Sequence, residues 1–136
     1  MSTFLASLQD IDANFSMPRV IVALGSNAGD EQLLLRCRQM LEQLLTDTRH
    51  TAIIRTSPIG MEGDDFLNSL TCGETTLDST SLVAALKQME RRCGDRRSLR
   101  ALGKVVMDID LLQYDDERHH PYDWQRDYIQ ELIRQL

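Results

Sequence analysis

Apolar positions fall along the chain in two rhythms, short runs at strand spacing and longer stripes at helical spacing. Residues 18–27, PRVIVALGSN, pass through five apolar positions at 20–24 and close on Gly25 and polar residues, which predicts a short buried strand. Behind Asp30, a residue suited to cap a helix, Leu33, Leu34, Cys37, Met40, Leu41, Leu44 and Leu45 recur on one helical face. A second strand is expected over 51–56, then a Gly-, Pro- and acid-rich loop at 57–65, SPIGMEGDD, and a third extended segment over 66–76. Leu82, Val83, Leu86 and Met89 define a second helix over 79–93, with Gly94 as its stop. A fourth strand is predicted over 105–114, and Ile129, Leu132, Ile133 and Leu136 mark a short C-terminal helix.

The resulting order, β-α-β-β-α-β, points to an α+β, ferredoxin-like sandwich. Its antiparallel sheet carries helices on one face, with the short C-terminal helix added. At 136 residues with 42% hydrophobic content the chain suits one domain, assigned to 18–136, and 1–17 reads as an N-terminal extension.

Composition narrows the function classes. The longest apolar run falls well short of the roughly 18 residues of a membrane span, and the N-terminus lacks a secretory pattern, so a cytoplasmic protein with no membrane partner is expected. Cys37, Cys72 and Cys93 are far apart and in no CxxC pair, which disfavours a disulfide framework or a zinc site and suggests reduced, mostly buried thiols. The net charge of −6 argues against a general nucleic-acid binder. Yet between 91 and 104 six basic residues (Arg91, Arg92, Arg96, Arg97, Arg100, Lys104) face one acid, Asp95, making a local landing place for a small polyanion. The oligomeric state is left open, with a monomer as the default.

The basic loop leads directly into VVMDIDLL at 105–112. Strand alternation puts Asp108 and Asp110 on one face with Val106 and Leu112, and Val105, Met107, Ile109 and Leu111 on the other. Two carboxylates about 7 Å apart along a strand can hold one or two hard cations, and Mg²⁺ completes its shell with water and substrate phosphates. Taken alone, an Asp-x-Asp strand is more often solvent-facing alternation; the adjoining basic loop shifts the reading towards metal and phosphate. Gly25-Ser26-Asn27 matches no phosphate-loop pattern and reads as a strand-to-helix turn.

ALGSN after the first strand, RTSPIG followed by DDFLN, a helix ending in Met89-Glu90 before the basic loop, and DIDLL in the last strand occur in this order. Together, over about 20–114, they resemble the 6-hydroxymethyl-7,8-dihydropterin pyrophosphokinase family of folate biosynthesis. The resemblance implies a ferredoxin-like core that transfers the pyrophosphoryl group of ATP to a dihydropterin hydroxymethyl group. It implies that Asp108 and Asp110 bind two Mg²⁺ ions and, with Arg97, form the catalytic set. The pterin would meet Thr56, Ser57, Ile59, Phe66 and Asn68, though without the resemblance Phe66 reads as a core aromatic and Asn68 as a strand-end polar residue. Glu90, Arg96, Arg97, Arg100, Lys104, Leu111, His120 and Tyr122 would contact or frame the nucleotide, and Trp124 or Tyr128 would close the pterin site.

The chain also departs from that family's pattern. Gly103-Lys104-Val105 stands where Gly-Pro-Arg is usual, Asp95 stands where an arginine is usual, and the tail after Tyr114 is shortened, with HHPYDW at 119–124 as an approximate echo. Lys104 restores a charge but not a bidentate fork. The competing expectation is therefore a catalytically weakened relative that binds pterin or nucleotide as a regulatory or interaction module.

Overall fold

The computed structural model describes residues 17–60 and 62–136, so most of the expected extension lies outside the described residues. Strand β1 (Arg19–Ser26) runs through the middle of the sheet, antiparallel to β4 (Phe66–Glu74) on one side and to β5 (Asp108–Tyr114) on the other. Beyond β4 lie β2 (Thr46–His50) and β3 (Ile54–Thr56), both paired antiparallel to it, and beyond β5 lies the two-residue strand β6 (Glu117–Arg118). Counting β2 and β3 as one interrupted edge strand gives the ferredoxin-like order, and every pairing is antiparallel.

Helices α1 (Glu31–Leu44) and α2 (Ser79–Arg92) cover one face. Each begins where an aspartate can accept an otherwise unpaired backbone N–H. Asp30 takes Leu33 N at 2.9 Å and Asp78 takes Ser81 N at 2.7 Å, caps worth about 1 kcal/mol each. Their apolar stripes, Leu34, Cys37 and Leu41 on α1 and Leu82, Leu86 and Met89 on α2, meet Val20, Val22, Leu24, Met107, Ile109 and Leu111 from the sheet. A leucine fully buried there contributes roughly 2 kcal/mol of transfer free energy.

The opposite face is not left open. After β6 the chain turns back as α4 (Pro121–Trp124) and α5 (Asp127–Ile133), laying Trp124, Ile129 and Leu132 on Leu70 and Leu112. The Trp124 indole N–H donates to Leu112 O at 3.1 Å and His119 O at 3.0 Å, which satisfies its polar edge and pins the return.

Three differences from the sequence pattern have local causes. The edge strand begins at Thr46, not near 51, because TDTRH has no apolar residue to announce a strand, and Leu45 already leaves the helix in an extended conformation. It breaks at Thr51, whose hydroxyl accepts Leu70 N at 2.9 Å in place of a regular ladder. β5 begins at Asp108, not at 105, because the preceding backbone is taken by side chains: Asn27 Oδ1 accepts Val105 N at 2.6 Å, and Asp95 Oδ1 accepts Val106 N at 3.0 Å. Finally, the basic loop contains a helical turn, α3 (Arg97–Arg100).

The cysteines carry no disulfide, and Cys37 and Cys93, remote in sequence, come into hydrogen-bonding contact between the two long helices. That contact, with burial, pushes the Cys37 thiol up, and it brings Cys93 down to about 7. No described helix is long and apolar enough to cross a membrane.

Candidate active site

The face of the sheet that α1 and α2 leave uncovered holds a cavity of about 170 Å³ beside the C-terminal return. Thr56, Ser57 and Ile59 come to it from the end of β3 and the loop beyond, and Phe66 and Asn68 from β4. Asp108 and Asp110 border it from β5. The neighbouring strands β3 and β4 and, from much further along the chain, β5 therefore converge there. Gly25 makes room in the floor: a Cβ at that position would stand 3.2 Å from Asn68 Oδ1 and 3.9 Å from Phe66. Asn68 Nδ2 donates to Thr56 Oγ1 at 2.6 Å, tying the edge strand to its neighbour across the cavity wall.

Asp108 and Asp110 stand on one face of β5, as the period of two requires. With Glu90 of α2 they bring carboxylate oxygens within 4.8 Å of one another. Burial pushes the Asp110 carboxyl up to about 6, the nearby Asp108 adding to the rise, while Lys87 and His120 oppose it. A crowded, partly desolvated all-oxygen set fits a hard divalent cation, whose charge relieves the repulsion that raises Asp110. Asp110, His120 and Asp123 form a second such grouping on the cavity side.

Two cations already lean on the pair. Arg100 Nη2 lies 3.3 Å from Asp108 Oδ1, and Lys87 Nζ lies 3.2 Å from Asp110 Oδ1. Arg100 is aimed by Asp95, a buried carboxylate that accepts Arg100 Nε at 2.6 Å while also taking Val106 N. Asp95 thus serves the loop as a structural hub, holding backbone and arginine together. The turn after β1 fixes the loop's other end: Asn27 Nδ2 donates to Gly103 O at 2.9 Å and Asn27 N to Val105 O at 3.0 Å. Gly25-Ser26-Asn27 is a clamp on the basic loop.

The expected nucleotide residues divide among the carboxylate cluster, the exposed basic loop and the core. Leu111 is buried in the helix-side core, on the face of β5 away from the aspartates. Glu90 is buried and committed to Ile109 N at 2.7 Å and Lys87 Nζ at 2.9 Å, so it frames the site from within. Arg97 is exposed at the start of α3, as is Arg96 before it; Arg100, one turn on, is the arginine that reaches Asp108. Lys104 is exposed at the loop's end. His120, in a left-handed conformation with φ 54°, brings Nε2 to 3.9 Å from Asp110 Oδ1, and Tyr122 is 80% exposed.

Of the two aromatics considered for closing the cavity, Trp124 is consumed by the small second core, and Tyr128 lines the cavity. Asp123 and Arg126 line it too and were missed in the sequence. Only the backward turn after β6 brings them across the sheet, and no local pattern announces that turn.

The arrangement is that of a ferredoxin-like domain with a carboxylate cluster suited to a hard cation beside a small polar and aromatic cavity. A family model described as 7,8-dihydro-6-hydroxymethylpterin-pyrophosphokinase matches residues 21–136, and the chain belongs to that family. It is 33% identical over 114 residues to a folate synthesis bifunctional protein of Chlamydia caviae, a match covering 76% of this chain and 25% of that protein. It is 34% identical over 100 residues to the 2-amino-4-hydroxy-6-hydroxymethyldihydropteridine pyrophosphokinase of Bacillus subtilis, covering 71% of this chain and 59% of that one. With the mitochondrial folate synthesis bifunctional protein of Arabidopsis thaliana it shares 29% identity over 135 residues, 91% of this chain and 24% of the relative. The chain thus spans about a quarter of the bifunctional relatives and 59% of the Bacillus protein.

Proposed function

We propose that this protein transfers the pyrophosphoryl group of ATP to 6-hydroxymethyl-7,8-dihydropterin, yielding AMP and the pterin diphosphate. The hydroxymethyl oxygen attacks the β-phosphorus, the bond from that phosphorus to the α,β-bridging oxygen breaks, AMP leaves, and the hydroxyl proton passes to solvent. The observation that carries the reading is the meeting of the Asp108/Asp110 pair with the cavity lined by Thr56, Ser57, Ile59, Phe66 and Asn68.

On this reading the pterin edge is read by Asn68 and by backbone groups at Thr56, Ser57 and Ile59. The ring lies between Phe66 and Tyr128, where aromatic faces stack favourably. Asp108 and Asp110 hold two Mg²⁺ ions, with Glu90 bracing them from behind. When bound, the ions supply charge neutralisation on the triphosphate and activation of the pterin hydroxyl, the main requirements of this chemistry. Arg100, aimed by Asp95, takes phosphate charge near Asp108, and Arg96, Arg97, Lys104, His120 and Tyr122 lie on the exposed side where the rest of the nucleotide is accommodated. Residues 18–136 act as one domain with 1–17 as an extension, the partners are ATP and the pterin and neither nucleic acid nor membrane, and the setting is cytosolic.

The intact carboxylate pair supports an enzyme over a relative that only binds. The deciding assay is AMP release from ATP, with the dihydropterin present or absent and Mg²⁺ present or chelated. AMP that requires both supports the transfer; no AMP under any condition rejects it in favour of the binding-only relative.

A further inference from the structure

Lys87 turns its ammonium into the acid cluster. Nζ donates to Glu90 Oε2 at 2.9 Å, Ile109 O at 3.2 Å and Asp110 Oδ1 at 3.2 Å, so its three donors meet three oxygens. Two of these acceptors belong to the frame: Glu90 is buried and its Oε2 also accepts Ile109 N at 2.7 Å, and Ile109 O is strand backbone. The third, Asp110 Oδ1, belongs to a carboxylate that a cation on the Asp108/Asp110 pair would share. The Lys87 side chain is 40% exposed, so the ammonium can leave Asp110 without leaving the site. Arg100 leans on Asp108 from the other side. Four carboxylates, Glu90, Asp95, Asp108 and Asp110, are thus met by two cations, leaving a net negative charge that favours divalent cations.

We propose that Lys87 is a resident counter-ion of the metal site and a phosphate ligand in waiting. It neutralises Asp110 while the site is metal-free and yields that carboxylate to the entering divalent cation. Still anchored on Glu90 and Ile109 O, it then offers its ammonium to a phosphate oxygen of the nucleoside triphosphate. Metal and nucleotide binding are thereby coupled, because the first frees a donor for the second. The inference rests on the pyrophosphokinase reading and deepens it.

The test compares the full chain with K87M and with R49M, which removes an equal charge from an exposed position on β2, at the other side of the sheet from β5. Mn²⁺ binding is counted by electron paramagnetic resonance without nucleotide, and binding of a non-hydrolysable ATP analogue is measured by calorimetry at saturating Mn²⁺. K87M should bind Mn²⁺ about tenfold tighter, having lost the competitor, and the analogue about tenfold more weakly, whereas R49M stays within about twofold on both. K87M that matches the wild type in both, or that weakens both alike, overturns the role of Lys87, as does R49M behaving like K87M. A wild type that makes AMP and binds Mn²⁺ while K87M is unchanged sinks only this inference. A wild type that binds no Mn²⁺ sinks the metal site as well.

Discussion

On one side of β5, Ile109 and Leu111 are 0% and 2% exposed in the core beneath α1 and α2; on the other, the Asp108 and Asp110 side chains are 35% and 19% exposed at the edge of a cavity. The same seven-residue strand therefore serves two purposes with alternate residues. The apolar face anchors the strand by removing hydrocarbon from water, a contribution indifferent to pH and metal. The acidic face holds charge where charge is unfavourable, and Lys87, Arg100 and Glu90 surround it because a half-buried carboxylate pair without partners is costly. From 108 to 111 folding and chemistry are separable by side-chain parity, and Leu112, on the acidic side, is covered by the C-terminal return.

Substitutions that respect or violate that parity should split stability from activity. The largest effect is expected from D108N/D110N: magnesium-dependent AMP formation should fall by on the order of 10³-fold or more, read in single-turnover assays, while the protein stays folded by circular dichroism. Ile109→Ala, one residue away on the other face, should cost about 3 kcal/mol in urea melts through the cavity it leaves, with Mn²⁺ affinity of the folded protein unchanged.

The acidic face should also announce itself through pH. Asp110 keeps its proton up to about 6 when folded but loses it near 4 when unfolded, so the folded state binds more protons between those values. Metal-free stability should accordingly drop as pH rises from about 4 to about 6, by on the order of 2 to 3 kcal/mol, and saturating Mg²⁺ should flatten the slope. A metal-free melting temperature that climbs over that interval contradicts the assignment. The smallest effect belongs to the loop clamp. Asn27→Ala removes the side-chain bonds to Gly103 O and Val105 N, so it should cost about 1 to 2 kcal/mol and raise the KM for ATP several-fold with kcat little changed.

The parts legible in the sequence are those that local periodicity controls. The faces of β5, the stripes of α1 and α2 and the Asp30 cap follow from spacing alone, because strand and helix geometry fix where neighbouring side chains point. What stayed hidden depends on topology or on a polar partner. TDTRH makes an edge strand without an apolar residue, and only its pairing with β4 shows it. Which arginine of the basic loop turns inward is decided by Asp95, a residue that in sequence read as a lost positive charge and in the fold aims Arg100. Asp123 and Arg126 reach the cavity because the β5–β6 hairpin sends the chain back over the sheet. Lys87 has no local sequence signal, and only the packing of β5 against α2 brings its ammonium to Ile109 O and Asp110.

The most direct test of this division of labour is a pair of thermal melts of D110N beside the wild type at pH 7.5, metal-free and with saturating Mg²⁺. Because ionised Asp110 burdens the metal-free fold, D110N should melt at least as high as the wild type without metal, and Mg²⁺ should raise the wild type alone. A D110N protein that melts well below the wild type without metal, or that gains as much from Mg²⁺, would mean that the aspartate is there to hold the fold and not the metal.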